Sequence, residues 1–198
     1  YPTGHPMITQ ISMRLAHIFG YRSREKEFDM YQEVLAQIDE KTAPFIKIRA
    51  LENIGTNLYQ QEKFKAALEY LDQAESLLYR EREAFKKIDD KEQLFWILWG
   101  KAYSFRGLAK AGEEKESNLK NAQSYYNQVI EMLNLTYEDL RYEASRKAFL
   151  SGYIKEAIGE AICVEAELYK LNPALGSLVH TFSLAENLKS SYILESIR

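Results

Sequence analysis

Apolar residues recur every three or four positions along most of the chain, which is the spacing of one face of an α-helix. The clearest case is the stretch 50–74, where the polar link Gln60–Lys63 joins two such runs. The first run carries Leu51, Ile54, Gly55 and Leu58, and the second carries Ala67, Leu71 and Ala74. The small residues stand where two helices must approach closely, so the stretch predicts a helical hairpin. A hairpin of this size cannot bury its apolar face alone, which predicts neighbours of the same kind.

The same spacing continues on both sides of this hairpin. It predicts an all-helical chain with four hairpins at about 6–40, 43–88, 90–133 and 137–197, together forming a single domain over residues 1–198. Asp90 and Thr136 are expected to cap helices, because each has Gln or Asp three residues later. The helix after Thr136 is expected to run to Leu171, before the turn-rich link 172–177.

Composition and charge narrow the class of protein. With 46% apolar and 28% charged residues and a net charge of −3, the chain shows no basic footprint for nucleic acid. No apolar run reaches the roughly 18 residues that span a membrane, so no membrane partner is expected. The one cysteine, Cys163, excludes an internal disulfide and fits the cytoplasm. The chain starts at Tyr1 and stops at Arg198 inside a helical pattern, so we expect a piece of a longer protein.

Short motifs repeat at equivalent places in the predicted hairpins. First helices carry Leu15-Ala16-x2-Phe19, Ile54-Gly55-x2-Leu58 and Trp99-Gly100-x2-Tyr103; second helices carry Ala67-x3-Leu71-x2-Ala74, Ala122-x3-Tyr126-x2-Val129 and Leu178-x3-Phe182-x2-Ala185. These motifs resemble the tetratricopeptide repeat, with its W-x2-L-G-x2-Y and A-x3-F pattern. Ala16, Gly55 and Gly100 are 39 and 45 residues apart, whereas that family repeats every 34. The resemblance implies a right-handed α-solenoid of stacked antiparallel hairpins that binds proteins.

The last third carries a narrower resemblance. Ala185, Glu186, Lys189, Ile193 and Leu194 form a run similar to the last helix of tetratricopeptide arrays that precede a CHAT domain, a caspase-like cysteine protease fold. The resemblance implies that the chain is the regulatory, partner-sensing arm of such a protease. Phe182 and Ile193 would then lie at the junction with the protease domain.

Residues with catalytic chemistry are few and scattered. His5, His17 and His180 are far apart, and none has a second ligand type at metal spacing. Cys163 lies in the apolar run AICVEA, which is typical of a core residue. The stripe Phe95, Trp96, Trp99 and Tyr103 coincides with packing positions of the repeat, so it predicts core rather than a ligand cage. We expect no metal, no cofactor and no catalytic activity.

The face of each first helix left over after packing is the expected partner-binding groove. By the family's register it holds Met13, His17, Tyr21, Arg49, Glu52, Thr56, Tyr59, Gln60, Ile97, Lys101, Ser104 and Phe105. Such a groove would hold a peptide, or another domain of the same chain, through charge and aromatic contacts; alternatively, these residues are merely solvated. The rival function is a helical enzyme or ligand-binding bundle that only mimics the repeat.

The repeat register also makes a packing prediction: Gly100 is expected to face the partner helix near Ala122.

Overall fold

The computed structural model describes residues 11–16, 18, 23–38, 44–81, 89–139, 144–174, 176, 179–180, 182–184 and 186. These residues form α-helices and no strand, which confirms the all-α prediction for this part of the chain. The helices are α1 (residues 11–16 and 18), α2 (Arg24–Gln37), α3 (Pro44–Gln60), α4 (Phe64–Arg80), α5 (Asp89–Lys110), α6 (Lys115–Asp139), α7 (Ala144–Leu171) and α8 (residues 179–180, 182–184 and 186).

The contacts divide the chain into two compact units, Tyr1–Ser104 and Phe105–Arg198. The division falls within α5. A single repeat domain over 1–198 stays a prediction, and the two units are described separately below.

In the first unit, a short polar link folds α4 back onto α3. The backbone N–H of Lys63 donates to the carbonyl of Leu58 at 3.0 Å, and that of Gln61 donates to the carbonyl of Asn57 at 3.2 Å. Glu62 adopts a left-handed φ of 61° between them. These bonds use carbonyls that the end of α3 leaves unpaired, so the link is a compact turn. It lies at 61–63, within a residue of the predicted link.

The hairpin closes tightly at Gly55. A Cβ atom built on Gly55 would lie 2.6 Å from Leu71 Cγ and 3.3 Å from the carbonyl oxygen of Ala67. Only a residue without a side chain lets α3 and α4 approach this closely. The predicted close approach of the small residues is therefore confirmed for this pair of helices.

Gly100 on α5 packs against the same side chain from another direction. A Cβ atom there would lie 2.9 Å from Leu71 Cδ1 and 3.2 Å from Tyr59 Cε1. These neighbours correct the prediction that Gly100 faces Ala122. The physical reason is that Leu71 projects far enough from α4 to contact both α3 and α5.

Two apolar clusters form the core of the first unit. The first cluster joins α1, α2, α3 and α4 through Met13, Ala16, Tyr31, Val34, Ile46, Ala50, Ile54, Leu58 and Ala67. The second joins α3, α4 and α5 through Ile48, Leu51, Ala74, Leu77, Leu78 and Ile97. Helix α3 contributes to both clusters, because its apolar residues occupy two sides of the helix. It is thus the central element of this unit.

Polar contacts add to the packing of α2 on α3. Asn57 Nδ2 donates to Glu27 Oε2 at 2.8 Å and to the carbonyl of Arg24 at 3.0 Å, although Asn57 and Glu27 are both buried. The Arg24 guanidinium pairs with the same Glu27 oxygen at 2.8 Å. Burial, followed by the charges of Glu27 and Glu52, raises the pKa of the neighbouring Tyr31 phenol well above its usual range. These contacts satisfy the buried polar groups between the two helices.

In the second unit, α6 and α7 pack side by side. The residues Leu119, Ala122, Tyr126 and Val129 of α6, and Ala157, Val164 and Leu168 of α7, have no exposed surface. Their spacings are those predicted for packed helix faces.

The helix boundaries in this unit differ from the prediction. Helix α6 continues to Asp139, so Thr136 lies inside it and is not a cap. Helix α7 begins at Ala144 instead of residue 137, and it ends at Leu171 as predicted. The reason is that residues 134–139 contain neither Gly nor Pro, so nothing in them ends the α6 hydrogen-bond ladder. In the first unit, helix α5 begins at Asp89 and so includes the predicted cap Asp90.

Candidate functional site

One side of α3 carries polar and aromatic residues that are not core members of the apolar clusters, although the Tyr59 ring packs against the first cluster. Arg49, Thr56, Tyr59 and Gln60, with Phe45 and Glu52 among them, lie within an arc of roughly 100° at 3.6 residues per turn. We call this surface the α3 face. Arg49 and Gln60 are exposed, Phe45, Thr56 and Tyr59 are half-buried, and Glu52 is 7% exposed.

Contacts within the α3 face fix several of its side chains. The Arg49 guanidinium carbon lies 5.7 Å from the centroid of the Phe45 ring, a cation–π distance. Thr56 Oγ1 donates to Glu52 Oε1 at 3.1 Å. Arg49 therefore presents its charge at the surface beside an aromatic ring, whereas the Glu52 carboxylate is turned inward.

Aromatic rings lie at the C-terminal end of the α3 face. The ring centroids of Tyr59 and Tyr103 are 5.1 Å apart, and those of Phe64 and Tyr103 are 6.5 Å apart. Tyr103 is 43% exposed. We call these three residues the aromatic cluster. Tyr103 was predicted to be a core residue, so its exposed edge corrects that prediction; no signal in the sequence distinguishes it from its buried neighbours.

Two other residues of the predicted aromatic core, Phe95 and Trp99, are buried as expected, whereas Trp96 is half-buried. Phe95 and Trp99 are each 6% exposed. The Phe95 ring contacts Trp96 at a centroid distance of 4.7 Å and Trp99 at 5.6 Å. These rings pack against one another, and the core prediction is confirmed for Phe95 and Trp99.

Lys101, a predicted groove residue, is held inside the first unit. Its Nζ lies 2.6 Å from Asp72 Oδ1 and 2.5 Å from Glu75 Oε2, both on α4, and the residue is 4% exposed. The charge of Lys101 is thus engaged by α4 and joins α5 to it. The prediction that Lys101 faces a partner is therefore wrong, and the residue has a structural role.

The other predicted groove residues do not form one surface. Met13, Ile97 and Ser104 are buried, at 6%, 0% and 0% exposure, because α1 and α5 turn these sides toward neighbouring helices. Phe105 belongs to the second unit, where its ring stacks on Tyr125 with centroids 5.7 Å apart. His17 and Tyr21 lie outside the described residues. Of the predicted set, the structure brings together the α3 residues.

The second unit contains a buried polar cluster that the sequence analysis missed. Glu165 is 1% exposed, and its Oε1 lies 2.5 Å from Gln123 Nε2 on α6 and 2.5 Å from His180 Nδ1 on α8. A carboxylate so placed orients the imidazole of His180 and joins three helices. These residues are 42 and 15 positions from Glu165, so no local motif could show that they meet.

A second charged group involves another side of α7, away from Glu165. Arg106 pairs with Glu160 and lies 3.9 Å from Glu167 Oε1. Glu160 and Glu167 are seven residues apart, so both carboxylates are on one side of α7. The arrangement is typical of a structural ion pair that holds the end of α5 against α7.

The described residues contain no group of three or more His, Cys, Asp or Glu side chains that could hold a metal ion. Of the helices in this part of the chain, none combines the length and the apolar character needed to cross a membrane.

Comparison with known proteins adds no relative: no family model matches the chain, and no curated protein matches it.

Proposed function

We propose that this chain is a non-catalytic protein-interaction scaffold, and that the α3 face with the aromatic cluster binds a short peptide segment of a partner. The observation that carries the proposal is the placement of an exposed Arg49 on the α3 face and of a half-exposed Tyr103 of α5 beside Tyr59, at the C-terminal end of that face. One end of the surface offers a guanidinium and the other offers aromatic rings, and these are the groups that dominate binding energy at protein interfaces.

The geometry defines the chemistry of the segment. Arg49 and Tyr59 are ten residues apart on α3, which is about 15 Å along a helix. That distance matches about five extended residues. Arg49 binds carboxylates in a bidentate manner, and the Phe45 ring already orients it. We therefore propose a segment of about five residues, with an acidic residue at one end and an apolar or aromatic residue at the other.

The wider architecture belongs to the same proposal. Repeating small-residue positions in the sequence and the close packing of α3 on α4 at Gly55 support a tetratricopeptide-like stack of antiparallel hairpins, for which the family resemblance implies a right-handed superhelix. We also propose a cytoplasmic scaffold that is the regulatory arm of a larger protein such as a CHAT-type protease. The support for that arm is the Ala185–Leu194 resemblance and Phe182, which is 66% exposed. Residues downstream in the reading frame test it: they must place a His and a Cys at the ends of successive predicted strands.

The binding proposal is tested by selection from a random peptide library on the whole immobilised chain. The expected outcome is a family of peptides with an acidic residue and an apolar residue about four positions apart. The same selection on an Arg49→Glu chain should lose the acidic preference. Selection that yields no common pattern, or the same acidic pattern with Arg49→Glu, contradicts the proposal.

One observation favours a second candidate function, a helical enzyme. The Glu165–His180 pair resembles an oriented general base, since a buried carboxylate fixes the imidazole. A hydrolase screen on the repurified chain and on His180→Gln tests this candidate. Turnover that His180→Gln abolishes would support an enzyme and contradict the non-catalytic proposal. Absence of turnover, together with a lower melting temperature for Glu165→Gln, assigns the pair to structure.

A further inference from the structure

Helix α1 carries apolar residues on two opposite sides. Met13 and Ala16 are 6% and 0% exposed and belong to the first apolar cluster. Ile11, Leu15 and Ile18 are 52%, 44% and 60% exposed. At about 100° per residue the two sets point roughly 160° apart. We call the exposed set the α1 stripe.

An α-helix that is apolar on two opposite sides is typical of one packed between two neighbours. Single exposed aliphatic residues are common on protein surfaces and need no explanation, but three at spacings of four and three form a continuous stripe.

The repeat alignment shows what covers the matching stripe elsewhere in the chain. In this alignment Leu15 and Ala16 are equivalent to Ile54 and Gly55. The three residues of the α1 stripe are then equivalent to Ala50, Ile54 and Asn57 of α3. Those three residues are 0%, 0% and 1% exposed.

The cover over that part of α3 includes helix α2. Ala50 and Ile54 share the first apolar cluster with Tyr31 and Val34 of α2. Asn57 donates hydrogen bonds to Glu27 and to the carbonyl of Arg24, both on the α2 side. The chain thus contains one filled example of the position that is exposed on α1.

We propose that the α1 stripe is the docking surface for an α-helix of another helical hairpin, held on α1 as α2 is held on α3. The exposed Arg14 lies beside the stripe, so the docking helix carries an acidic residue at that edge. In the repeat alignment Ile18 takes the place of Asn57, the residue that donates a hydrogen bond to Glu27 of α2. Because an isoleucine side chain cannot donate one, the docking helix has an apolar residue at the position that corresponds to Glu27. A buried carboxylate opposite Ile18 would lack a partner.

The small size of the stripe argues against a second copy of this chain as the occupant. A stable interface buries about 800 Å² per partner, which three half-exposed side chains do not approach. A helix supplied by a tethered or otherwise attached hairpin does not need that area, because attachment raises its effective concentration.

A fusion of the full chain to a tethered helix tests the proposal. Residues 23–38 with Glu27→Leu are placed ahead of Tyr1 through a flexible Gly/Ser linker of about 20 residues. The substitution matches the probe helix to Ile18, and it disfavours exchange with α2, since Asn57 would lose its carboxylate partner. Docking is expected to slow amide exchange in residues 12–18 by about tenfold or more and to raise Tm by roughly 2–4 °C.

Matched controls separate docking from a general effect of the tether. The same fusion with Glu27 retained should give a smaller gain, and the fusion on a Leu15→Glu or the milder Leu15→Ala chain should lose it. A fusion without slowed exchange, or with slowing that persists in both Leu15 variants, overturns the proposal.

Two measurements on the unfused chain exclude the other occupants. Sedimentation at about 100 μM should show a monomer; a dimer that Leu15→Glu dissolves would assign the stripe to a second copy. Deleting residues 1–10 should leave exchange in residues 12–18 unchanged. Faster exchange after that deletion would mean that the chain covers its own stripe, and the proposal would fail.

Discussion

Gly55 lies so close to Leu71 that a Cβ atom on the glycine would stand 2.6 Å from the Cγ atom of the leucine. Real carbon atoms do not approach each other at this distance, so either α3 or the leucine would have to move. The pair therefore sets the spacing of α3 and α4, and α3 in turn holds the proposed binding surface at its place in the first unit.

Gly55→Ala is expected to destabilise the protein by about 1–3 kcal/mol, because the new methyl group overpacks against Leu71. The clash outweighs the gain of about 1 kcal/mol that alanine brings to a helix interior. Urea denaturation measures the change. Gly152→Ala is the matched control: it lies within α7 with nothing within 4 Å of its Cβ position, so it should stabilise by up to about 1 kcal/mol. Equal effects of the two substitutions would contradict the packing.

The coupling of Gly55 to Leu71 can be measured directly. Leu71→Ala alone is expected to cost about 2–5 kcal/mol through the cavity it leaves. In that background Gly55→Ala should become neutral or stabilising, since its methyl group enters the vacated space. A double-mutant cycle should thus give an interaction energy of about 1–3 kcal/mol. Strict additivity would show that the two residues do not meet.

The sequence predicted this packing partly. The spacing of Gly55, Ala67 and Leu71 was enough to predict the hairpin and its close approach, because periodicity reports which helix side is buried. The neighbour of Gly100 was predicted wrongly as Ala122. A repeat pattern gives the register within a helix, whereas the reach of one leucine to two helices depends on tertiary geometry.

The Lys101–Glu75 pair is expected to stabilise the packing of α5 on α4. Glu75→Gln should cost about 1–2 kcal/mol, because Lys101 is nearly inaccessible and loses its closest charged partner. Asp72→Asn is the control: its side chain is 60% exposed, so the cost should stay below about 0.5 kcal/mol. Thermal unfolding of the two single variants measures both. A larger cost for Asp72→Asn would contradict the arrangement.

Tyr31 predicts a loss of stability at alkaline pH. Burial and the charges of Glu27 and Glu52 raise the pKa of its phenol above the ordinary 10.0. In the unfolded chain the phenol ionises near pH 10, while the folded chain keeps the proton. Stability therefore falls as pH rises past about 10, by up to about 1.4 kcal/mol per pH unit from this group.

Tyr31→Phe removes that contribution. The difference between the unfolding free energies of the two proteins should be constant between pH 7 and 9 and shift in favour of Tyr31→Phe above pH 10, as measured by urea denaturation across the range. Curves that stay parallel to pH 11 would show that the Tyr31 phenol ionises alike in the folded and unfolded chains.

The candidate site was less accessible to sequence reasoning than the fold. Arg49, Thr56, Tyr59 and Gln60 were placed on one helix side correctly, because 3.6-residue periodicity alone decides it. Lys101 and Ile97 were assigned to the same surface from the repeat register, but both side chains are buried and cannot contact a partner. The Glu165–His180 contact was missed, since it joins side chains brought together only by the packing of α7 and α8.

The binding proposal leads to a measurement on single residues. Arg49→Glu and Lys47→Glu make the same charge change two positions apart on α3, and at 100° per residue they point to roughly opposite sides of the helix. Both side chains are exposed, so neither change should unfold the protein. Tyr59→Ala removes part of the aromatic cluster and serves as a third variant.

The most direct test of the scaffold proposal is the Kd of a library-selected acidic peptide for the whole chain, measured by titration calorimetry for these variants. The account predicts at least a tenfold weaker Kd for Arg49→Glu and for Tyr59→Ala, about 1.4 kcal/mol or more, and little change for Lys47→Glu. Equal weakening by Arg49→Glu and Lys47→Glu, or no weakening by Arg49→Glu and Tyr59→Ala, would contradict binding at the α3 face.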